Sequence, residues 1–185
     1  MRKIILLFLL VLVKAEAQTS AFATADSLYA LGNYNKAITI YKQLQPESAY
    51  GLSKIGQAYN QLSAYHKAIP FFEKSIQKDS TLLLTQYELA RLYTKTRAFT
   101  KADSLFNKLI VKDSSNPNFY YQLGRVQLIT QNGNYIASFK KAVTADPHHL
   151  KSIKQLCQQF LKRKKWVLFD QYIRWVCKNI LKMKF

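Results

Sequence analysis

Apolar residues recur along this chain in short blocks at helical spacing. Leu52, Ile55 and Tyr59 fall on one side of a helix, and Ala68, Phe72 and Ile76 fall on one side of the next. The stretch YHKAIPFFEKSI at 65–76 has near copies in YNKAITIYKQL at 34–44 and FTKADSLFNKLI at 99–110. The aromatics Tyr41, Phe72, Phe106 and Phe139 recur at intervals near 34 residues. So do the small residues Ala25, Gly56, Ala90 and Gly124, each about twelve places ahead of a second small column, Ala37, Ala68 and Ala102, in the first three copies. Agreement between several columns predicts an internal repeat whose unit is a pair of amphipathic helices. The small columns predict where the two helices of a pair cross closely, with the aromatics filling the wider gaps between pairs.

The segments between the periodic blocks carry turn chemistry. QKDST at 77–81, VKDSSNPN at 111–118 and TADPHH at 144–149 hold Asp, Ser, Asn and Pro, which stop one helix and cap the next. Asn116 before Pro117 predicts an N-cap with proline at the first helical position. Pro70 falls inside a predicted helix, close enough to its start that the amide it lacks would have had no intrahelical partner.

These residues resemble the tetratricopeptide repeat family. Residues 49–82 match its pattern with Gly56, Tyr59, Tyr65, Ala68, Phe72 and Asp79, and residues 83–116 match it with Leu89, Ala90, Tyr93, Phe99, Ala102, Phe106 and Asp113. Residues 18–48 form a copy with a shortened exit loop around Pro46. Residues 117–147 keep Leu123, Gly124, Phe139, Ala142, Asp146 and Pro147, but Gln127 replaces the usual aromatic and TQNGNYIAS has slipped by about one residue. The resemblance implies an all-α, right-handed superhelical solenoid of helix-turn-helix repeats. The expected organisation is a signal peptide at 1–17, four repeats at 18–147 (18–48, 49–82, 83–116 and 117–147), and a divergent basic helix pair at 148–185. In that last pair Ile153, Leu156 and Phe160 mark one face, and Trp166, Phe169, Ile173, Val176, Ile180 and Met183 mark another.

The signal-peptide expectation rests on MRKIILLFLLVLVKAEAQTS: Arg2 and Lys3, an apolar run from Ile4 to Val13, then Ala15-Glu16-Ala17 ahead of Gln18. A membrane span needs about 20 apolar residues, roughly twice this run. The chain is therefore expected to be exported, periplasmic or extracellular, and, with no cysteine beside the cleavage site, not a lipoprotein. Processing removes Arg2, Lys3, Lys14 and Glu16, three cations and one anion, so the formal charge falls from +18 to +16. A charge of that size attracts polyanions. Export makes anionic lipid, polysaccharide or acidic protein the expected counterpart and leaves nucleic acid a minor alternative. Cys157 and Cys177 are the two cysteines. The plain reading is two buried free thiols, and a disulfide would require the turn near Arg163 to bring them into register.

In this family the outward positions of each first helix line a concave groove. The resemblance puts Phe22, Asp26 and Tyr29 there, then Tyr50, Ser53, Gln57, Asn60 and Gln61, then Tyr87, Arg91, Thr94 and Lys95, and finally Tyr121, Arg125 and Leu128. Of these, Tyr50, Gln57, Asn60, Gln61, Tyr87, Arg91, Lys95, Tyr121 and Arg125 are the candidate partner-binding residues. Arg91 and Arg125 are 34 apart and should project from equivalent places, able to grip a carboxylate or phosphate together. The plain alternative is a solvated helix face. From His148 onward there are ten Lys or Arg against one acid, Asp170. The candidate basic patch is Lys162, Arg163, Lys164, Lys165, Trp166, Arg174, Trp175 and Lys178. Leu168, Tyr172 and Trp175 form a second apolar side, which would meet a partner or an anionic surface, mediate self-association into a homo-oligomer, or fold back over the preceding pair.

Catalytic signatures are missing from the sequence: it has no glycine-rich phosphate loop, no G-x-S-x-G, no histidine metal spacing and no paired carboxylates. His66 is expected on a solvated turn, and the adjacent His148 and His149 would diverge on a helix and share no metal. The expectation is a non-catalytic scaffold or adaptor of an envelope or secretion assembly, without cofactor or metal, that binds a protein or peptide.

Overall fold

The structure, a computed structural model, describes residues 21–44, 48–162, 167, 170–172 and 174–175. All regular structure among them is helical: α1 (21–30), α2 (Tyr34–Leu44), α3 (Ala49–Gln61), α4 (Tyr65–Lys78), α5 (Leu83–Lys95), α6 (Phe99–Lys112), α7 (Pro117–Ile129), α8 (Tyr135–Ala145) and α9 (Leu150–Lys162). The all-α, tetratricopeptide-type fold implied by the sequence is the one observed. The chain divides within α5 into two compact units, one ending at Thr85 and the other beginning at Gln86. The expected signal peptide lies outside the described residues.

Each first helix of a pair stops in the same way. Gly32, Ser63, Arg97 and Gln131 take left-handed backbone with φ of 79°, 56°, 62° and 57°. The next amide then reaches back five residues: Asn33 N donates to Leu28 O (2.8 Å), Ala64 N to Tyr59 O (2.9 Å), Ala98 N to Tyr93 O (2.8 Å) and Asn132 N to Gln127 O (2.8 Å). This is a Schellman closure, which satisfies carbonyls that the helix end would leave bare. Second helices stop at Asp79, Asp113 and Asp146, whose backbone is extended. Each carboxylate accepts from the amide two residues on, at Thr81 (2.8 Å), Ser115 (3.0 Å) and His148 (2.9 Å). These aspartates therefore build the turn, while helix starts are capped by Ser48 on the Gly51 amide and Asn116 on the Asn118 amide, with Pro117 following as expected.

The unit ending at Thr85 packs α2 on α3 and α3 on α4. Ala25, Ala37, Ile38, Tyr41, Ile55 and Ala58 are buried together there. In the unit starting at Gln86, α6 packs on α7, α7 on α8 and α8 on α9, and Tyr135, Phe139, Val143, Leu156 and Phe160 form a core cluster. One expectation about packing is refined. The aromatics do reach the next pair, Tyr41 clustering with Ile55 and Ala58 and Phe139 with Leu156 and Phe160, but they also lie over their own pair: a Cβ at Gly56 would lie 2.9 Å from the ring of Phe72, and one at Gly124 would lie 2.7 Å from the ring of Phe139. Each glycine is the seat of the aromatic on the next helix of its own pair.

Pro70 is a correction. It is the sixth residue of α4, past the amides that lack partners, so it leaves the His66 carbonyl without its usual donor. His66 and Pro70 are both exposed, and water can take that place.

Candidate functional site

In the unit starting at Gln86, α5 carries Tyr87, Arg91 and Lys95 at successive turns, and α7 carries Tyr121 and Arg125 at one turn's separation. Both arginines are exposed, and both tyrosines are half-buried. The Arg91 guanidinium lies 5.6 Å from the Tyr87 ring centroid, and that of Arg125 lies 5.9 Å from the Tyr121 ring. Within about 6 Å a cation is drawn to the ring face, an attraction of about 0.5–1 kcal/mol at an exposed site. The tyrosines are themselves fixed from below. Tyr87 packs against Phe106 and Phe119 (6.2 and 5.6 Å), and Tyr121 packs against Phe139 and His149 (6.0 and 5.4 Å).

Gln122 joins the two stacks. It is only 7% exposed; its Nε2 donates to the Tyr87 hydroxyl (3.3 Å), and its Oε1 accepts from Arg125 Nη1 (3.0 Å). Neither arginine makes an ion pair among the described residues. Each planar fork is thus oriented by its own repeat while donors remain for an acceptor from outside. Sequence reasoning missed Gln122. Its signal was a polar column at the 34-residue interval, Lys54, Glu88 and Gln122.

The corresponding face of the unit ending at Thr85 is occupied by its own network. Asp26 accepts from the Tyr41 hydroxyl (2.5 Å), the Lys54 ammonium (2.9 Å) and the Tyr50 hydroxyl (3.3 Å). Burial by itself would raise the Asp26 carboxyl, but these donors outweigh it and hold the group below the ordinary carboxylate value. Burial and the hydrogen bond to Asp26 push the Tyr41 hydroxyl far up. Tyr50 is 49% exposed, with Lys54 over its ring at 5.2 Å. Gln61 is exposed and donates to the Tyr29 hydroxyl (3.1 Å), while Gln57 and Asn60 are half-buried on α3.

Three expected outward positions point elsewhere. Ser53 is buried and shares a hydrogen bond with the buried Thr85 hydroxyl (2.8 Å), because a small side chain can turn inward where a hydroxyl partner waits. Leu128 packs on the α8–α9 core. Thr94 returns its hydroxyl to the Ala90 carbonyl (3.0 Å). Lys95 is exposed at the edge of a depression of about 400 Å³ lined by Thr94, Arg97, Phe99 and Ile129.

Of the basic patch, Arg163, Lys164, Lys165, Trp166 and Lys178 lie outside the described residues, as do Leu168 and Cys177, and so does any Cys157–Cys177 bridge. Phe169, Ile173, Val176, Ile180 and Met183 lie outside them too. Lys162 is exposed. Arg174 pairs with Asp170 at 2.7 Å, both side chains largely exposed. Tyr172 folds back on Phe160 (5.8 Å) and Trp175 stacks on Tyr172 (6.0 Å), yet Trp175 stays 42% exposed. Cys157 is a half-buried thiol whose pKa burial raises. His149 bonds Ser152 (2.8 Å) and Asn118 (3.4 Å), and burial lowers its pKa. Among the described residues no group of three His, Cys, Asp or Glu is placed to hold a metal, and no helix is long and apolar enough to cross a membrane.

A stack of paired helices, with small-residue seats for aromatics and polar groups lining the first helices, defines a helical repeat protein. Residues 52–172 match the family model "Tetratricopeptide repeat protein 21 forth ARM domain", and residues 20–47 match a further tetratricopeptide repeat model. The chain belongs to the tetratricopeptide repeat family. Solved structures of similar fold include a crystal structure of MamA protein, with 18% identity, TM-score 0.77, and 89% of this chain and 92% of that one covered. MamA 41-end from Desulfovibrio magneticus RS-1 is similar at 16% identity, TM-score 0.75 and coverage of 93% and 98%. YrrB, a TPR protein with an unusual peptide-binding site, is similar at 14% identity, TM-score 0.69 and coverage of 76% and 75%. At these identities the likeness is one of fold alone. No curated protein matches the chain.

Proposed function

We propose that this chain is a non-catalytic, exported scaffold that holds a peptide or partner protein on the outward side of its first helices, within a bacterial envelope or secretion assembly. The observation that carries the reading is the pair of exposed arginines, Arg91 and Arg125, each lying over a tyrosine four residues before it, with Gln122 joining Tyr87 to Arg125. A helix face needed only for solubility has no use for a buried glutamine that orients a surface cation. Export rests on the leader pattern at 1–17, and secretion of a tagged full-length protein from a bacterial host, with cleavage near Gln18, tests it. The scaffold reading is tested by affinity capture from an envelope fraction, comparing wild type with Arg91→Glu/Arg125→Glu. A partner set that is lost in the variant supports it, and an unchanged set removes this face from the mechanism.

A second reading has its own observation: Trp175 is 42% exposed beside Arg174, in the segment richest in cations. It makes the C-terminal helices a binder of anionic lipid or polysaccharide. Co-sedimentation with anionic vesicles should then weaken as salt rises. Binding that survives deletion of residues 161–185 would exclude it.

A further inference from the structure

We infer that the α5–α7 face selects an acidic protein segment, one whose Asp or Glu carboxylates lie beside a medium-sized apolar side chain. The inference rests on the scaffold reading and adds the chemistry of what is held. Charge is the first argument. Residues 86–185 hold 19 of the 28 Lys and Arg but only five of the ten acids, so this unit carries most of the field that would gather an anionic partner.

Geometry is the second. An arginine drawn over an aromatic ring loses some of its freedom while keeping N–H groups that can meet a carboxylate through two parallel hydrogen bonds. Two such forks, on equivalent turns of successive repeats, would meet two carboxylates of one extended chain. Gln122 consumes one donor of Arg125 and in return fixes it, so less side-chain freedom is lost on binding.

The third argument is what lies one turn further on. Lys95 follows Arg91, and Ile129 follows Arg125, and both line the same depression with Phe99 at its side. Ile129 is 51% exposed. The cationic strip therefore ends in a small apolar seat with a lysine at its rim, which a wholly hydrophilic polyanion would leave empty.

The test uses purified full-length protein and labelled peptides of equal length, read by fluorescence polarisation: a Glu/Leu peptide, a Gln/Leu peptide, a Glu/Gln peptide and a Glu/Leu peptide with phosphoserine in place of glutamate. The Glu/Leu peptide should bind at least tenfold more tightly than the Gln/Leu peptide and several-fold more tightly than the Glu/Gln peptide. Arg91→Ala/Arg125→Ala should cost at least tenfold, and Arg91→Lys/Arg125→Lys, which keeps the charge and loses the fork, should recover only part of that. Lys108→Ala/Lys141→Ala removes the same charge from exposed positions outside the face and should leave affinity within about twofold. Equal binding of the Gln/Leu peptide overturns the acidic preference while leaving a peptide scaffold in place. Equal losses in the arginine and lysine double variants reduce the effect to net charge and overturn the site. Tenfold preference for the phosphorylated peptide overturns the carboxylate assignment, and equal binding of the Glu/Gln peptide overturns the apolar seat. Failure of every peptide to bind, with circular dichroism unchanged, removes both this inference and the scaffold reading for this face.

Discussion

Replacing Gly124 by alanine adds one methyl group where the structure has none to spare. The new Cβ would stand 2.7, 2.8 and 3.2 Å from Cε1, Cδ1 and Cζ of Phe139. Comfortable carbon contacts lie at roughly 3.5–4.0 Å, so the ring must retreat by nearly 1 Å. It has little room to do so: Phe139 is fully buried, with Tyr121 at 6.0 Å and Tyr135 at 6.4 Å from its centroid. Overpacking of this kind costs about 1–3 kcal/mol. Alanine in a helix interior returns about 1 kcal/mol relative to glycine. The expected net effect of Gly124→Ala is a loss of about 0–2 kcal/mol, and Gly56→Ala, whose contacts with Phe72 begin at 2.9 Å, should lose less.

Urea unfolding followed by circular dichroism reads this directly, with the slope fitted alongside the midpoint, since a repeat array need not unfold in one step. The Phe139→Leu background isolates the clash. Removing the ring should make Gly124→Ala nearly neutral or favourable, giving a coupling of about 1 kcal/mol or more between the two sites. If the effect of Gly124→Ala simply adds to that of Phe139→Leu, the glycine is not the seat of the ring and the account of the glycine column fails.

Three further outcomes are expected. Ser63→Gly, Arg97→Gly and Gln131→Gly relieve left-handed backbone at φ of 56°, 62° and 57°, and each should raise the unfolding free energy from urea titration by up to about 1 kcal/mol; a fall in all three would contradict the Schellman assignment. Asp26 has a folded pKa below its unfolded value of about 3.9, so its contribution is complete above that pH and is lost as pH falls through the folded value. Asp26→Asn should therefore flatten the decline of thermal midpoint between about pH 5 and pH 2, and an unchanged slope would show that the Tyr41, Tyr50 and Lys54 contacts do not hold the carboxylate. Ser53→Ala strands the buried Thr85 hydroxyl and should cost about 1–3 kcal/mol, whereas Ser53→Ala/Thr85→Val should cost less, which a chemical denaturation cycle would reveal.

What the sequence revealed and what it concealed have one physical division. A repeat is legible where the same packing problem recurs, which is why Tyr41, Phe72, Phe106 and Phe139, all fully buried, stood out as a column. The meaning of that column was harder to read, because a list of positions does not say whether an aromatic lies over its own partner helix or over the next one. Backbone demands were hidden for another reason. Left-handed turns betray themselves through glycine, yet only Gly32 of the four obeys, and Ser63, Arg97 and Gln131 carry the strain with ordinary side chains. The site divides along the same line. Arg91 and Arg125 stood out as candidates because they repeat at outward positions, whereas Gln122 lies in a polar column, Lys54, Glu88 and Gln122, that gave no reason to expect it buried. Ser53, in the column of Tyr87 and Tyr121, shows the opposite failure: equivalent positions need not share a fate when one side chain is small enough to turn inward. A buried amide is costly unless its polar atoms are paired, and Gln122 meets that cost by joining the Tyr87 hydroxyl to Arg125, so its burial is legible only once both partners are placed around it.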